Sequence, residues 1–313
     1  MLQNFILCVN AVIPSAIYLA IGIALKLLKV VELEDVKRFT HVTFVALYPF
    51  LMFDNIYGKN IKENMNWSLI IYCMVFLAIE IASSELFVHK IEKDRARRAT
   101  MVQAMFRSNI VLMGLPIAIN LFGKGNVTSV AVVLMFVVPT YNIVAVVLFE
   151  KARDGKVSAV NIVRGVLTNP LILGGIAAAI VMVAGISLPK PVYSTIVTLS
   201  DATTPIAMIL LGASLKLKGF SKDKRNVALC SLFRLIVFPG LGIAGAVLLG
   251  FRDVELVAVI LMTATPTALA SFTMASSMGG KARLAAEVVV ITSIAACFTM
   301  PIWLFLMKTG GLF

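Results

Sequence analysis

Ten runs of about 20 apolar residues follow one another along this 313-residue chain, near residues 5–28, 37–57, 67–89, 98–122, 127–149, 162–185, 191–215, 226–249, 254–279 and 284–307. Each is as long as a tilted helix needs to cross a bilayer. A helix satisfies its own backbone where no water can. Composition agrees: 60% of residues are hydrophobic and 14% charged, against roughly a quarter charged in soluble domains. The chain therefore reads as an all-α polytopic membrane protein of ten transmembrane helices. The first run begins without a basic leader and is longer than a secretory apolar core, so it reads as a span and not as a cleaved signal.

A net charge of +12 could point to nucleic acid, but the cations are distributed otherwise. The loops after the first, third, fifth, seventh and ninth runs hold 20 Lys and Arg; the other loops and both ends hold six. By the positive-inside rule the odd loops are cytoplasmic and both termini lie outside, in the cell membrane. No basic loop is interleaved with stacking aromatics, so nucleic acid is not an expected partner. The four cysteines (Cys8, Cys73, Cys230, Cys297) sit singly in apolar runs and the two histidines (His41, His89) are far apart. That leaves no disulfide framework, metal site or cofactor motif. Gly240 to Gly245 spells GxGxxG, but inside an apolar run and not after a strand; it reads as close helix packing.

Prolines suggest a duplication. Pro14 and Pro49 correspond to Pro170 and Pro205 at an offset of 156, and Pro116 corresponds to Pro266 at an offset of 150. Residues 1–150 and 151–313 then form two five-helix units, joined by a basic linker over residues 150–160. An odd number of spans per unit places the copies in opposite orientation, the inverted repeat of many carriers.

Pro116 and Pro266 also carry the functional reading. Each removes a backbone donor, frees the carbonyl of Leu112 or Met262, and biases Leu115 or Thr265 away from helical geometry. Broken backbone at membrane depth must be buried in protein or line a wet cavity, and a matched pair marks a carrier's substrate site. If the breaks meet, the amides after them (Ile117 and Ala118, Thr267 and Ala268) are positive half-helix ends that favour an anion. Gly114, Thr265 and Ser271 flank the breaks. Asn109, Tyr141 and Asn142 are further candidates for substrate contact.

The stretch Ser108-Asn109-Ile110-Val111-Leu112-Met113-Gly114-Leu115-Pro116-Ile117 resembles the crossover motif of the auxin efflux carrier family, including its bacterial malate and malonate permease-like branch. The resemblance extends to Val45-Ala46-Leu47-Tyr48-Pro49, Thr168-Asn169-Pro170-Leu171, Leu199-Ser200-Asp201-Ala202, Leu211-Gly212-Ala213-Ser214-Leu215, Ala270-Ser271-Phe272 and Met300-Pro301-Ile302. It implies that spans 1, 2, 6 and 7 form a scaffold, often a homodimer. Spans 3 to 5 and 8 to 10 would form a transport domain, moving elevator-like, with the fourth and ninth spans broken and crossing. The short central linker, and Arg107-Ser108 before Asn109, depart from the plant members. A small carboxylate is thus implied in place of auxin itself.

Ionisable residues inside spans are costly and usually functional. Arg107 and Arg234 each lie nine residues beyond a basic loop residue (Arg98, Arg225), and Glu80 lies nine before His89, so all three sit roughly 13 Å inside. Glu80 with Arg234 or Arg107 is expected to form a structural or gating ion pair, with snorkelling as the alternative for either arginine. Asp201, near Thr203 and Thr204, is a candidate for a coupling cation, a proton or sodium, or else caps a scaffold helix. Taken together, the sequence reads as a secondary transporter of small organic anions and not an enzyme. The alternatives are a cation antiporter or symporter, which should carry acidic residues beside the breaks, and a membrane receptor or enzyme, which would not need paired breaks.

Overall fold

The computed structural model describes residues 2–57, 66–123, 126–153, 170–214 and 223–313. From residue 154 on, the linker dividing the two expected repeats lies outside these residues, as do Thr168 and Asn169. The described residues are helical throughout, with one isolated β-bridge and no strand. Five helical stretches are long and apolar enough to cross a membrane: Trp67–Ile91, Thr128–Ala152, Lys190–Ser214, Lys224–Leu248 and Ala282–Thr309.

In chain order the elements are α1 (Leu2–Leu27), α2 (Leu33–Val42), α3 (Tyr48–Ile56), α4 (Trp67–Ile91), α5 (Arg95–Phe106), α6 (Leu115–Phe122) and α7 (Thr128–Ala152). There follow α8 (Pro170–Val183), α9 (Lys190–Ser214), α10 (Lys224–Leu232), α11 (Phe238–Leu248), α12 (Asp253–Ala264), α13 (Leu269–Ser277) and α14 (Ala282–Thr309). Side-chain caps start two of them: Asn66 Oδ1 accepts from the Leu69 amide at 3.1 Å, and Asp94 Oδ1 accepts from the Arg97 amide at 3.0 Å.

Three π-turns, Thr43–Leu47, Ile110–Gly114 and Phe233–Val237, each end just before a helix whose second residue is proline: Pro49, Pro116 and Pro239. In each, the residue ahead of the proline bonds five residues back: Tyr48 to Thr43, Leu115 to Ile110, and Phe238 to Phe233. The wider turn moves the carbonyl four residues back out of the ring's way, so the helix absorbs the proline without breaking.

Contacts divide the elements into two groups. In the smaller, α1 packs on α9, α8 on α3, and α9 on both α2 and α3; in the larger, α4, α5 and α7 pack together and α10 to α14 close around them. The groups meet where α1 touches α6 and α14, and where α3 touches α7. Glycines set the tight crossings of the smaller group. A Cβ at Gly22 would fall on the Ile209 carbonyl, one at Gly212 on the Leu19 carbonyl, and one at Gly174 on the Pro49 carbonyl. Within the larger group, Gly242 lies against Phe76 and Thr263 and Gly245 against the Tyr72 hydroxyl, so the GxGxxG stretch serves helix packing.

Candidate functional site

The fourth and ninth spans are both interrupted, and their interruptions meet. The ninth opens at Thr265 to Ala268, where Thr265 (ψ 152°) and Ala268 (ψ 142°) are extended around Pro266. The fourth opens at Arg107 to Asn109, eight residues ahead of the proline expected to cause it. Pro116 lies in continuous helix because the π-turn ahead of it takes up the missing donor. The break is held instead by backbone pairing with the other span, at Ser108 and Asn109, residue types that disfavour helix interiors. The Asn109 amide donates to the Pro266 carbonyl at 2.7 Å and the Ala268 amide to the Arg107 carbonyl at 3.1 Å, bridging Ser108 to Thr267 antiparallel.

Four half-helix ends converge at this bridge. The two C-terminal ends, α5 and α12, turn their last carbonyls toward Arg234 on the π-turn between α10 and α11. Its Nη1 donates to Met105 O at 3.1 Å and Phe106 O at 2.8 Å, and its Nη2 to Met262 O at 2.8 Å and to Thr263 O. One cation thus meets both negative dipole ends. Glu80 Oε1 lies 3.9 Å from Arg234 Nη1, and both side chains are 0% exposed. Of the pairings open to Glu80, the structure selects Arg234. Neither Glu80 oxygen accepts a hydrogen bond among the described residues.

Thr267 is fixed twice: its Oγ1 donates to Ala104 O at 2.7 Å, and its amide donates to Thr292 Oγ1 at 3.1 Å. The amides of Thr267 and Ala268, expected to be open for an anion, are therefore engaged. The amides lacking an intrahelical acceptor are the first ones of the following half-helices: Ile110 to Leu112, and Leu269 with Ala270.

A cavity of about 560 Å³ lies between the two helix groups beside these ends. Its larger-group wall includes Arg107, Ser108, Asn109, Val111, Leu112, Tyr141, Asn142 and Ala268 to Ala270; the smaller group contributes His41, Thr43, Phe44, Tyr48, Leu210 and Ser214. Tyr141 is buried, its hydroxyl 2.8 Å from Ser108 Oγ, and Asn142 Oδ1 accepts from Arg107 Nη2 at 2.6 Å. Asn109 Nδ2 is buried and donates to nothing among the described residues.

Of the residues singled out from sequence, Asn109, Tyr141, Asn142 and Arg107 line this cavity. Gly114, Ile117, Thr265, Pro266, Thr267 and Ser271 are not on its wall. Gly114 packs against Thr265 and Leu261, whereas Ile117 and Thr267 are 0% exposed. Thr265 Oγ1 bonds back to Leu261 O at 2.8 Å, and Ser271 is buried. Pro116 lines a separate, smaller cavity of about 180 Å³, shared with Asp201, Ser200, Thr204 and Asn120. Sequence reasoning missed the opposite wall, His41, Phe44 and Tyr48, because nothing in linear spacing says which residues of α2, the π-turn after it and α3 face the crossover. It also missed Met274, whose Sδ lies 3.0 Å from Arg107 Nη1.

Paired, crossing half-helices beside a cavity inside a polytopic helical bundle define a membrane transporter, and comparison with known proteins agrees. The chain belongs to the membrane transport protein family, that of the auxin efflux carriers, which matches residues 7–304. It is 21% identical over 308 residues to an uncharacterized transporter of Methanocaldococcus jannaschii, covering 94% of this chain and 97% of that one. It is 22% identical over 301 residues to an uncharacterized transporter of Methanothermobacter thermautotrophicus, covering 94% and 96%.

Proposed function

We propose that the chain is a secondary transporter of small organic anions, carboxylates above all, working by alternating access in the cytoplasmic membrane. One observation carries this reading. The breaks at residues 107–109 and 265–268 pair with each other, and the half-helices that follow them begin on one cavity between two helix groups. Helix N-termini carry positive partial charge and unpaired amides, so an anion is the guest they favour.

The cavity lies between the groups, so sliding of the larger group against the smaller would carry a bound anion across in an elevator-like motion. The larger group's wall supplies the anion contacts and the smaller group's wall is mainly apolar. Ten spans as two inverted repeats, 1–150 and 151–313, accord with the crossings of the smaller group. There α1 meets α9 through Gly22 and Gly212, and α8 meets α3 through Gly174, as a pseudo-twofold exchange would require. Glu80 and Arg234, 154 residues apart, likewise face each other across the crossover. By the positive-inside rule the face bearing the basic loops would be cytoplasmic and both ends outside. A homodimer through the smaller group follows the family resemblance. A coupling proton or sodium would sit at the smaller cavity, beside Asp201 and the buried Ser200 hydroxyl. The cation-antiporter alternative draws no support, since among the described residues the cavity wall carries an arginine and no carboxylate.

The test is counterflow in proteoliposomes. Vesicles preloaded with unlabelled acetate, benzoate, malonate or malate should accumulate the same labelled acid, and vesicles loaded with glucose or ethanolamine should not accumulate theirs. Saturable flux of amines or sugars without carboxylate flux would refute the reading.

A further inference from the structure

Two arginines are buried at the crossover, and they are not used alike. Arg234 donates both Nη groups to four carbonyls at helix C-termini, with Glu80 beside it. Arg107, 6% exposed, sits in the break of the fourth span and on the cavity wall. Its neighbours are all neutral: Asn142 Oδ1 at 2.6 Å from Nη2, Met274 Sδ at 3.0 Å and the Tyr141 carbonyl at 3.5 Å from Nη1. No carboxylate lies within ion-pair distance of it among the described residues.

A buried guanidinium with no counter-ion is costly, and intramembrane charges are kept where they meet a partner or a substrate. Thioether sulfur is a weak acceptor on a flexible side chain, so the Nη1 edge is held by a group easily displaced. Asn142 holds Nη2 in place and fixes the plane of the fork. Two residues on, the Asn109 amide group offers a buried, unused donor on the same wall.

We infer that Arg107 is a substrate-binding residue: its guanidinium takes the carboxylate of the transported anion in a bidentate pair, displacing Met274 Sδ, while Asn142 orients the fork and Asn109 Nδ2 adds a third donor. This deepens the proposed function and rests on it. A planar carboxylate matches the arginine fork bidentately and brings the counter-charge that a neutral amide lacks. The anion then supplies the missing counter-charge. The loaded and empty sites differ in net charge, so the loaded cavity crosses the membrane nearly neutral.

The experiment is thermal unfolding of detergent-purified protein titrated with benzoate, malonate and benzamide. Wild type should be stabilised by at least one carboxylate and not by benzamide. Arg107→Gln should keep or raise the ligand-free midpoint, because an uncompensated charge is gone, and lose the carboxylate response, with half-saturation raised tenfold or more. Arg107→Lys should retain a weakened response. Met274→Leu should respond at lower carboxylate concentration, a shift that a purely structural arginine would not produce. Asn142→Ala, which leaves the charge in place but frees the fork, should lower the ligand-free midpoint and raise half-saturation, and it serves as the test variant if Arg107→Gln does not fold. If wild type responds to carboxylates and both Arg107→Gln and Asn142→Ala respond equally, this inference is overturned and the anion-transport reading stands. A wild type stabilised by no carboxylate would overturn both.

Discussion

Replacing Arg234 by methionine should damage the crossover far more than neutralising Glu80, although the two form the buried ion pair. The geometry decides this. Arg234 donates to Met105 O, Phe106 O, Met262 O and Thr263 O, while Glu80 accepts no hydrogen bond and stands 3.9 Å away. Removing the guanidinium leaves two negative helix ends and a buried carboxylate facing one another, and breaking a buried pair in this way costs about 3–5 kcal/mol. Against a total stability of about 5–15 kcal/mol that is a large fraction. For Glu80→Gln, an attraction of about 4 kcal/mol at an effective dielectric constant near 20 is offset by several kcal/mol of carboxylate desolvation, leaving about 1 kcal/mol or less. The double variant Glu80→Gln/Arg234→Met should be more stable than Arg234→Met alone, because the stranded carboxylate is gone. Thermal unfolding in detergent reads all three. Equal losses for the two single variants would mean that the ion pair, and not the carbonyl cage, holds the crossover.

Pro266→Ala should weaken carboxylate stabilisation, since it restores a donor and helical geometry within the ninth span's break, while Pro116→Ala should leave it intact because the π-turn already absorbs that proline; ligand-dependent thermal shifts check both. Gly212→Ala should cost about 1–3 kcal/mol by thermal unfolding, because the added carbon meets the Leu19 backbone and not a movable side chain. On the loop face, Lys281 Nζ lies 2.9 Å from Asp94 Oδ2 and, with the Arg97 amide, holds the Asp94 carboxyl below the usual carboxylate range. A depressed pKa contributes stability above the unfolded value of about 3.9 and loses it as pH falls through the folded value. Asp94→Asn should therefore flatten the acid limb of a pH–stability curve below about pH 4 and cost less than 1 kcal/mol at neutral pH, both groups being well exposed.

Much of this architecture was legible in the sequence, for reasons that differ from element to element. Pro266 marks its break because proline forces the preceding residue to be extended, and nothing in the ninth span compensates. Pro116 misled because a π-turn cannot be read from composition: Ile110 to Gly114 looks like any apolar turn. The Ser108-Asn109 pair was the available signal for the true break, since such residues disfavour helix interiors and cluster at interruptions. Equal depth brought Glu80 and Arg234 together, and spacing alone could not choose between the two arginines. That choice depended on Arg234 finding four helix-end carbonyls, a tertiary arrangement. The same limit hid the cavity's second wall, where Tyr48 and His41 reach the crossover only after α2 and α3 dock on α9.

The central claim, that a transported carboxylate occupies the crossover cavity, is tested most directly by labelling. Leu112→Cys, on the cavity wall, would be introduced with Cys8, Cys73, Cys230 and Cys297 replaced by alanine and reacted with a membrane-impermeant maleimide in proteoliposomes. The account predicts that a carboxylate which supports counterflow slows this labelling at the concentration that half-saturates flux. Saturable carboxylate flux with an unchanged labelling rate would place the substrate elsewhere and contradict it.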